Sequence, residues 1–198
     1  MSNAVLDFLS KRASAPINEL KEPGPNDDQL ARLMQLAMRV PDHGRLTPWR
    51  FIIYRGDVRF GVGEKLAAIA EKREGPLSDV RLEQERTRFS RAPLVIGVVC
   101  TPKPNPKIPE WEMFLSAGAS AMMLVVAANA MGFHTNWITN WYSGDPEALE
   151  MLGVGPSERI VGFVHIGTFS GEIVPRPRPE PSAHYSDYAG PWKHDHVL

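Results

Sequence analysis

The chain has 198 residues, of which 43% are hydrophobic and 23% charged, and its formal net charge is −1 at pH 7. This length suits one domain with a full core, and the near-zero charge excludes a broad basic surface for nucleic acid or acidic lipid. A single cysteine, Cys100, excludes a disulfide or a cysteine-based zinc site within the chain, and its apolar run LVIGVVC predicts a buried thiol.

Helices and strands are mixed along the whole chain. In chain order the patterns predict helices over about 5–12 and 27–40, a strand over 51–54, helices over 59–72 and 80–91, a strand over 94–100, helices over 116–131 and 146–152, and a strand over 160–167. Asn26 or Asp27 caps the second helix and Pro41 ends it. We find no internal repeat and no separating linker, so residues 1–198 are predicted to form one domain of the α+β or α/β class.

Three segments have unusual composition. Residues 80–91 are dense in charge and sparse in apolar side chains, which predicts a solvated helix face or a flap. Residues 116–131 (SAGASAMMLVVAANAM) are apolar nearly all round, which predicts a helix buried in a core or at a subunit interface. The tail over 174–198 begins VPRPRPEP and is predicted to be extended.

Targeting and membrane signals are lacking in this sequence. The N-terminal MSNAVLDFLS has no long apolar segment of the signal-peptide type, and the strongly apolar stretch over 121–128 is too short to cross a bilayer. We therefore expect a soluble, cytoplasmic protein.

The common catalytic and nucleotide-binding motifs are also missing. Gly61 and Gly63 lack the third glycine of a dinucleotide fingerprint, and there is no phosphate-binding loop, nucleophile elbow or His-Glu-x-x-His. His194 and His196 flank Asp195 close to the C-terminus, and we interpret them as a solvated tail, since zinc sites need three or four protein ligands. No metal site is predicted.

Cationic side chains cluster at three places. The first pair is Lys11 and Arg12, which Ala13 and Ser14 follow in the sequence. The other two clusters are Arg39, Arg45 and Arg50, and Arg176 and Arg178. Each cluster alone is typical of a solvated terminus or turn, whereas together they would suit a phosphate-bearing ligand, because the guanidinium fork binds phosphate bidentately. The residues leave both interpretations open.

Tryptophans lie beside polar residues in two segments. Trp49 follows Pro48, while Trp137 and Trp141 alternate with Asn136, Thr139 and Asn140. Such an arrangement fits the wall of a flavin or nucleotide pocket, but plain packing of the aromatic rings is the favoured interpretation.

Four segments together resemble the nitroreductase family of FMN-dependent oxidoreductases, in particular its small YdjA-like branch. They are Lys11-Arg12-Ala13 after the first helix, RVPDHGRLTPW over 39–49, Glu110-Trp111-Glu112 leading into the apolar helix that ends at Gly132-Phe133, and Trp137-Ile138-Thr139. The resemblance covers most of the chain, from the first helix to the Arg-Pro-Arg tail. It implies an α+β fold around a mostly antiparallel sheet flanked by helices, in an intertwined homodimer with FMN at the subunit interface.

The resemblance also implies which residues contact FMN. Lys11, Arg12 and Ala13, with Ser14 beside them, would hold the phosphate and ribityl chain, and Arg176 and Arg178 would form a second basic pair at the phosphate. Arg39 and His43 would reach FMN from the junction, and Trp137, Ile138 and Thr139 from the ring or partner side. Three departures from the family pattern are Ala13 in place of serine, Ile138-Thr139 in place of Arg-Ser, and His43 in place of a small polar residue.

The implied function is reduction of nitroaromatics, quinones or similar electron-poor compounds. NAD(P)H would give a hydride to flavin N5 and leave before the substrate takes it, so no catalytic side chain is expected. Two alternatives stay open on the sequence alone: an FMN-binding protein for storage or sensing, and a different flavin chemistry on the same scaffold.

Overall fold

Four antiparallel strands form the central sheet of the computed structural model, which describes residues 3–174 and 176–191. The strands are Trp49–Arg55 (β1), Leu94–Cys100 (β2), His134–Ile138 (β3) and Arg159–Gly167 (β4). They lie in the order β1-β2-β4-β3, and each neighbouring pair is antiparallel. Every residue of β2 is buried, Cys100 included, as its continuous apolar run predicts. The α+β class with an antiparallel sheet is confirmed.

Helices cover both faces of this sheet. They are Ala4–Lys11 (α1), Asp27–Ala37 (α2), Val58–Glu74 (α3), Asp79–Arg86 (α4), Glu110–Ala130 (α5) and Pro146–Met151 (α6). On one face, α2 and α5 share a core with Val164 of β4, and on the other face α3 and α6 share a core with Phe163. Successive strand residues point to opposite faces, so these two neighbours serve separate cores.

The end of α2 differs from its prediction. The helix begins as expected, since the Asn26 side chain accepts a hydrogen bond from the Gln29 N–H (2.9 Å) and the Gln29 side chain accepts one from the Asn26 N–H (3.0 Å). It stops at Ala37 rather than at Pro41, and the Ser120 hydroxyl donates to the Ala37 carbonyl (2.9 Å). A contact from α5 therefore satisfies a carbonyl at the helix end, and the proline does not set the boundary.

The prediction of a solvated helix over 80–91 is wrong for one side of α4. This helix ends at Arg86, and Glu85 is fully buried. Its carboxylate accepts hydrogen bonds from Arg81, Arg88 (2.7 Å from the terminal nitrogen) and the Trp141 indole (2.9 Å). Burial raises the pKa of Glu85, but the hydrogen bonds from Arg88 and Trp141 and the two arginine charges outweigh it and hold the pKa below its usual value. The charges of α4 thus partly pair around a buried carboxylate.

The apolar helix α5 is buried on one side only within the single chain. Ala117, Ala121 and Leu124 are fully buried, whereas Trp111 and Leu115 are each 62% exposed. With 21 residues, α5 is also the one helix in the described part of the chain that is long and apolar enough to span a membrane. A core helix passes the same test of length and composition, and the buried face of α5 packs on the sheet.

The C-terminal tail has little regular structure. Residues 176–191 are exposed almost throughout and contain one short 3-10 turn, Pro181–Ala183. Residue 175 and residues 192–198, with His194 and His196 among them, lie outside the described residues.

Candidate functional site

The end of α1 opens onto a cavity of about 350 Å³, which we call the α1 cavity. Lys11, Arg12 and Ala13 form one wall, and the end of α5 and the start of β3 form another. The remaining lining residues are Asp7, Phe8, Asn129, Gly132, Phe133, His134 and Ile173. Pockets of roughly 300–1,000 Å³ accommodate small molecules and cofactors, so the α1 cavity is large enough to hold part of such a ligand.

Backbone contacts hold the cationic segment beside β3. Arg12 leaves the helix in an extended conformation, and its N–H still donates to the Phe8 carbonyl (3.0 Å). Farther along, the Ala15 N–H donates to the Thr135 carbonyl (3.0 Å), and the Asn136 amide donates to the Ala15 carbonyl (2.7 Å). Arg12 is half-buried in this position and lines the cavity.

Two buried polar atoms in the lining of the α1 cavity lack a partner among the described residues. The Asn129 amide donates to the Phe133 carbonyl (3.0 Å) and the Thr135 hydroxyl (3.2 Å), but its Oδ1 accepts nothing. Nδ1 of His134 is also buried and unbonded, while its ring packs edge-on against Phe169. A buried polar atom without a partner costs about 1–3 kcal/mol, so these atoms point to a bound molecule that completes them.

Neither Asn129 nor His134 was predicted as a site residue. Residues 134–138 form the short strand β3, which the sequence pattern does not predict. The available signal was a polar His-Thr-Asn run placed directly after a buried apolar helix.

Trp137 lies on a notch in β4 that only glycine provides. Gly162 has a φ of +153°, and a Cβ there would lie 2.2 Å from the Trp137 indole nitrogen and 3.1 Å from the Ile138 carbonyl oxygen. The β2–β4 register shifts between Val98 and Val99, opposite this glycine. Trp137 is 37% exposed, and the absence of a side chain at Gly162 lets its indole lie directly against the β4 backbone.

The other two tryptophans are packing residues. The Trp49 indole donates to the Ser116 hydroxyl (3.1 Å), and the Trp141 indole donates to buried Glu85 while Arg73 lies over its ring at 4.9 Å. The packing interpretation is therefore confirmed for Trp49 and Trp141.

The junction between α2 and β1 is a strained turn with an internal brace. Gly44, Arg45 and Thr47 all have positive φ, and the Asp42 carboxylate accepts hydrogen bonds from the N–H groups of Leu46 (3.0 Å) and Thr47 (2.8 Å). Non-glycine residues with positive φ are uncommon and tend to cluster at functional sites, where the surrounding structure must hold them.

A second cavity of about 350 Å³, the junction cavity, lies between this turn and α5. It is lined by Pro41, His43, Glu112, Leu115, Ser116 and Ala119. Nδ1 of His43 lies 2.7 Å from Oε2 of Glu112, and the Ser116 hydroxyl donates to the Pro41 carbonyl (2.7 Å). An imidazole and a carboxylate thus share a hydrogen bond on an otherwise mostly apolar wall.

The remaining predicted site residues line neither cavity within the single chain. Arg39 is exposed on the junction turn, and Arg176 and Arg178 are exposed in the tail, where the Arg178 guanidinium contacts the carbonyls of Arg176 and Pro177. Arg50 forms an ion pair with Glu158 (2.5 Å) and lines neither cavity. The structure therefore brings together Lys11, Arg12 and Ala13 and places His43 elsewhere.

A family model described as the nitroreductase family matches residues 20–168 of the chain. The chain is 35% identical over 167 residues to YdjA of Escherichia coli strain K12, which is named as an NAD(P)H nitroreductase, with 82% of this chain and 87% of YdjA covered. A Haemophilus influenzae protein of similar name is 36% identical over 164 residues, with the same shares covered. The family match does not include Lys11, Arg12, Arg176 or Arg178.

Solved structures share the fold at lower identity. A nitroreductase-like family protein from Bacillus cereus matches with a TM-score of 0.79 at 20% identity, covering 96% of this chain and 98% of that one. NfnB from sphigopyxis sp. strain HMH, an FMN- and NADPH-dependent nitroreductase, matches with a TM-score of 0.71 at 20% identity, covering 93% and 98%. A Bacteroides fragilis nitroreductase with bound FMN matches with a TM-score of 0.67 at 19% identity, also covering 93% and 98%.

Proposed function

Because this chain belongs to the nitroreductase family, we propose that it is an FMN-dependent NAD(P)H oxidoreductase that reduces electron-poor compounds such as nitroaromatics or quinones. The observation that carries the proposal is the α1 cavity, where two cationic residues lie beside two buried polar atoms without partners. When bound, FMN would accept a hydride from NAD(P)H and pass it to the substrate in a ping-pong cycle.

The α1 cavity has the chemistry that the polar end of FMN requires. Arg12 and Lys11 provide positive charge for a phosphate, and the guanidinium of Arg12 can form a charge-assisted hydrogen bond with it. The unbonded Asn129 Oδ1 can accept a hydrogen bond from a ribityl hydroxyl, and His134 Nδ1 can donate or accept. We assign Lys11, Arg12, Ala13 and Ser14 to this end of the cofactor.

The ring end of FMN is assigned to the segment around Trp137. The Trp137 indole lies against the β4 backbone at Gly162. Ile138 ends β3, and Thr139 follows it. A fixed aromatic edge is a suitable boundary for a flat ring, since it needs no reorganisation when the ring binds. We keep Arg176 and Arg178 as candidate phosphate contacts.

A homodimer would complete the site. The exposed fractions of Val5 and Leu6 on α1 are 64% and 63%, and Trp111 and Leu115 on α5 are each 62% exposed, so both helices present apolar side chains that a second copy can cover. In that assembly Arg39 and His43 of one subunit would approach FMN bound at the α1 cavity of the other. Analytical ultracentrifugation tests this part of the proposal, which predicts a dimer at micromolar concentration.

The visible spectrum of the purified protein is the first test of FMN binding. A yellow protein, or a colourless one that takes up added FMN in equimolar amount, supports the proposal, whereas absence of uptake refutes it. Anaerobic addition of NADH or NADPH should then bleach the flavin within seconds. A yellow protein that neither nucleotide bleaches would instead be a storage or sensing protein.

The Arg12→Ala variant tests the position of the phosphate. Loss of one charge-assisted hydrogen bond costs about 1.5–3 kcal/mol, so the FMN dissociation constant should rise about 10- to 100-fold. Arg32→Ala on the exposed side of α2 is the matched control and should leave the constant unchanged. Equal affinity in both variants would show that the phosphate does not bind at the α1 cavity.

A further inference from the structure

We propose that His43 is the proton donor to the substrate and that Glu112 positions its imidazole. This inference rests on the proposed function, because the hydride that accompanies the proton would come from the reduced cofactor. It departs from the expectation that no side chain takes part in the chemistry. The site of action is the junction cavity, and the substrate class is the quinones and nitro compounds named above.

The hydrogen bond between His43 and Glu112 fixes which nitrogen can act on a ligand. Nδ1 is held by the carboxylate at 2.7 Å, so the neutral ring is in the Nδ1–H tautomer and Nε2 is left to face outward. No hydrogen bond of Nε2 is present in the part of the chain that the structure describes. When the ring is protonated, both nitrogens carry a proton, and Nε2–H is the one that can act as an acid toward a ligand.

Hydrogen bonds and packing fix the backbone of the turn on both sides of His43. Asp42 braces the two N–H groups that follow, and the Ser116 hydroxyl links α5 to the Pro41 carbonyl. A Cβ on Gly44 would lie 2.7 Å from the Ile108 side chain, so the turn packs closely against the loop before α5. Proton transfer requires a donor that is oriented before the substrate binds. Here the turn orients the backbone of His43, and Glu112 orients its ring.

The charged groups around His43 leave Glu112 as its direct partner. The Asp42 carboxylate accepts hydrogen bonds from N–H groups of its own turn. Lys103, from the loop after β2, contacts the Leu46 carbonyl and the Thr47 hydroxyl. Arg39 and Arg45 lie on the same segment as His43 and are exposed. Within the described residues, Glu112 is therefore the ionisable group that hydrogen-bonds the imidazole.

The chemistry of the substrate calls for one proton with each hydride. A quinone that gains a hydride and a proton becomes a hydroquinone, and a nitro group that gains a hydride and a proton becomes a nitroso group with release of water. In both reactions the substrate is reduced, and the imidazolium of His43 loses the proton that it later regains from solvent. The junction cavity, with about 350 Å³ and mostly apolar walls, suits a single aromatic ring beside that donor.

Rapid mixing of the NADH-reduced holoenzyme with 1,4-benzoquinone between pH 5 and 9 tests the inference. General acid catalysis contributes about 10²–10⁴-fold, so His43→Gln should slow flavin reoxidation at least 100-fold and abolish its pH dependence. Flavin reduction by NADH, measured in the FMN-saturated variant, should slow much less than reoxidation, which separates proton donation from the loss of a cofactor contact. Glu112→Gln should slow reoxidation, because it removes the carboxylate that orients the imidazole, whereas Glu110→Gln, which removes a neighbouring exposed carboxylate, should not.

A measurement on the apoprotein separates positioning from activity. Two-bond proton–nitrogen correlation spectra at pH 9 should show the Nδ1–H tautomer for His43 in the wild type and the common Nε2–H tautomer in Glu112→Gln. Reoxidation of His43→Gln at the wild-type rate with an unchanged pH profile would overturn the inference while leaving the proposed function intact. Failure of the wild type to bind FMN would overturn both.

Discussion

The buried carboxylate of Glu85 should be a main determinant of stability. Glu85 is fully buried, whereas its partners Arg81 and Arg88 keep 28% and 13% of their side chains exposed. In Glu85→Gln one oxygen remains to accept from the Trp141 indole, but the two arginines lose their counter-charge. Removing one member of a buried ion pair costs about 3–5 kcal/mol, and because Arg81 can turn toward water we expect the lower end, about 3 kcal/mol.

Thermal unfolding followed by circular dichroism measures this effect. For a chain of this size 1 kcal/mol corresponds to about 2–4 °C, so Tm should fall by about 6–12 °C. Glu83→Gln, on an exposed position of the same helix, should change Tm by less than about 2 °C. The pKa of Glu85 is lowered in the folded state, so its stabilisation is present above about pH 4.3 and is lost as pH falls through that lowered pKa. Equal Tm values for the two variants at pH 7 would refute the reasoning.

Three further predictions concern backbone crowding and a buried imidazole. Gly63→Ala would place a Cβ 1.8 Å from a carbonyl oxygen of α4 and should cost at least about 1–3 kcal/mol in urea unfolding, whereas Gly61→Ala, with open space around it, should stabilise α3 by about 0.5–1 kcal/mol. Gly162→Ala should displace the Trp137 indole, altering its fluorescence and weakening FMN binding about tenfold. Unchanged fluorescence would contradict the close approach of the indole to Gly162. Burial lowers the pKa of His165 to about 4, so unfolding takes up a proton below about pH 6.5 and the free energy of unfolding should fall from there toward pH 4; His165→Gln should remove this slope.

The elements with a strong periodic pattern could be predicted from the sequence. β2 is a continuous apolar run and α2 begins at a capping box, so local residues determine both. β3 could not be predicted, because it is a five-residue edge strand whose polar side chains bond to α5 and to the segment after α1. The burial of Glu85 could not be predicted either, since only tertiary contact brings Trp141 to it.

The candidate site was predicted in part, and the division has a physical cause. Lys11, Arg12 and Ala13 are contiguous, so wherever one lies the others follow, and the structure places all three on the α1 cavity. Asn129 and His134 reach the cavity from distant segments. They were identified because Oδ1 of Asn129 and Nδ1 of His134 are buried without a hydrogen-bond partner, which a sequence pattern cannot show. Glu112, the partner of His43, belongs to a family motif, but its role could not be predicted. The sequence does not show that the start of α5 meets the junction turn.

In the junction turn, Asp42 stabilises the backbone, and the adjacent His43 points its side chain at the junction cavity. Positive φ at Arg45 and Thr47 stores strain of order 1–3 kcal/mol at each residue, which must be offset locally for the turn to persist. Asp42 supplies two hydrogen bonds to that backbone, and so its carboxylate is not free to act on the adjacent imidazole. His43 takes its carboxylate from Glu112 instead, and the imidazole is thereby turned out of the motif and toward the junction cavity. Replacing Asp42 with alanine removes both hydrogen bonds from the turn and should displace His43 from Glu112, so the Nδ1–H tautomer of His43 should be lost and flavin reoxidation should slow.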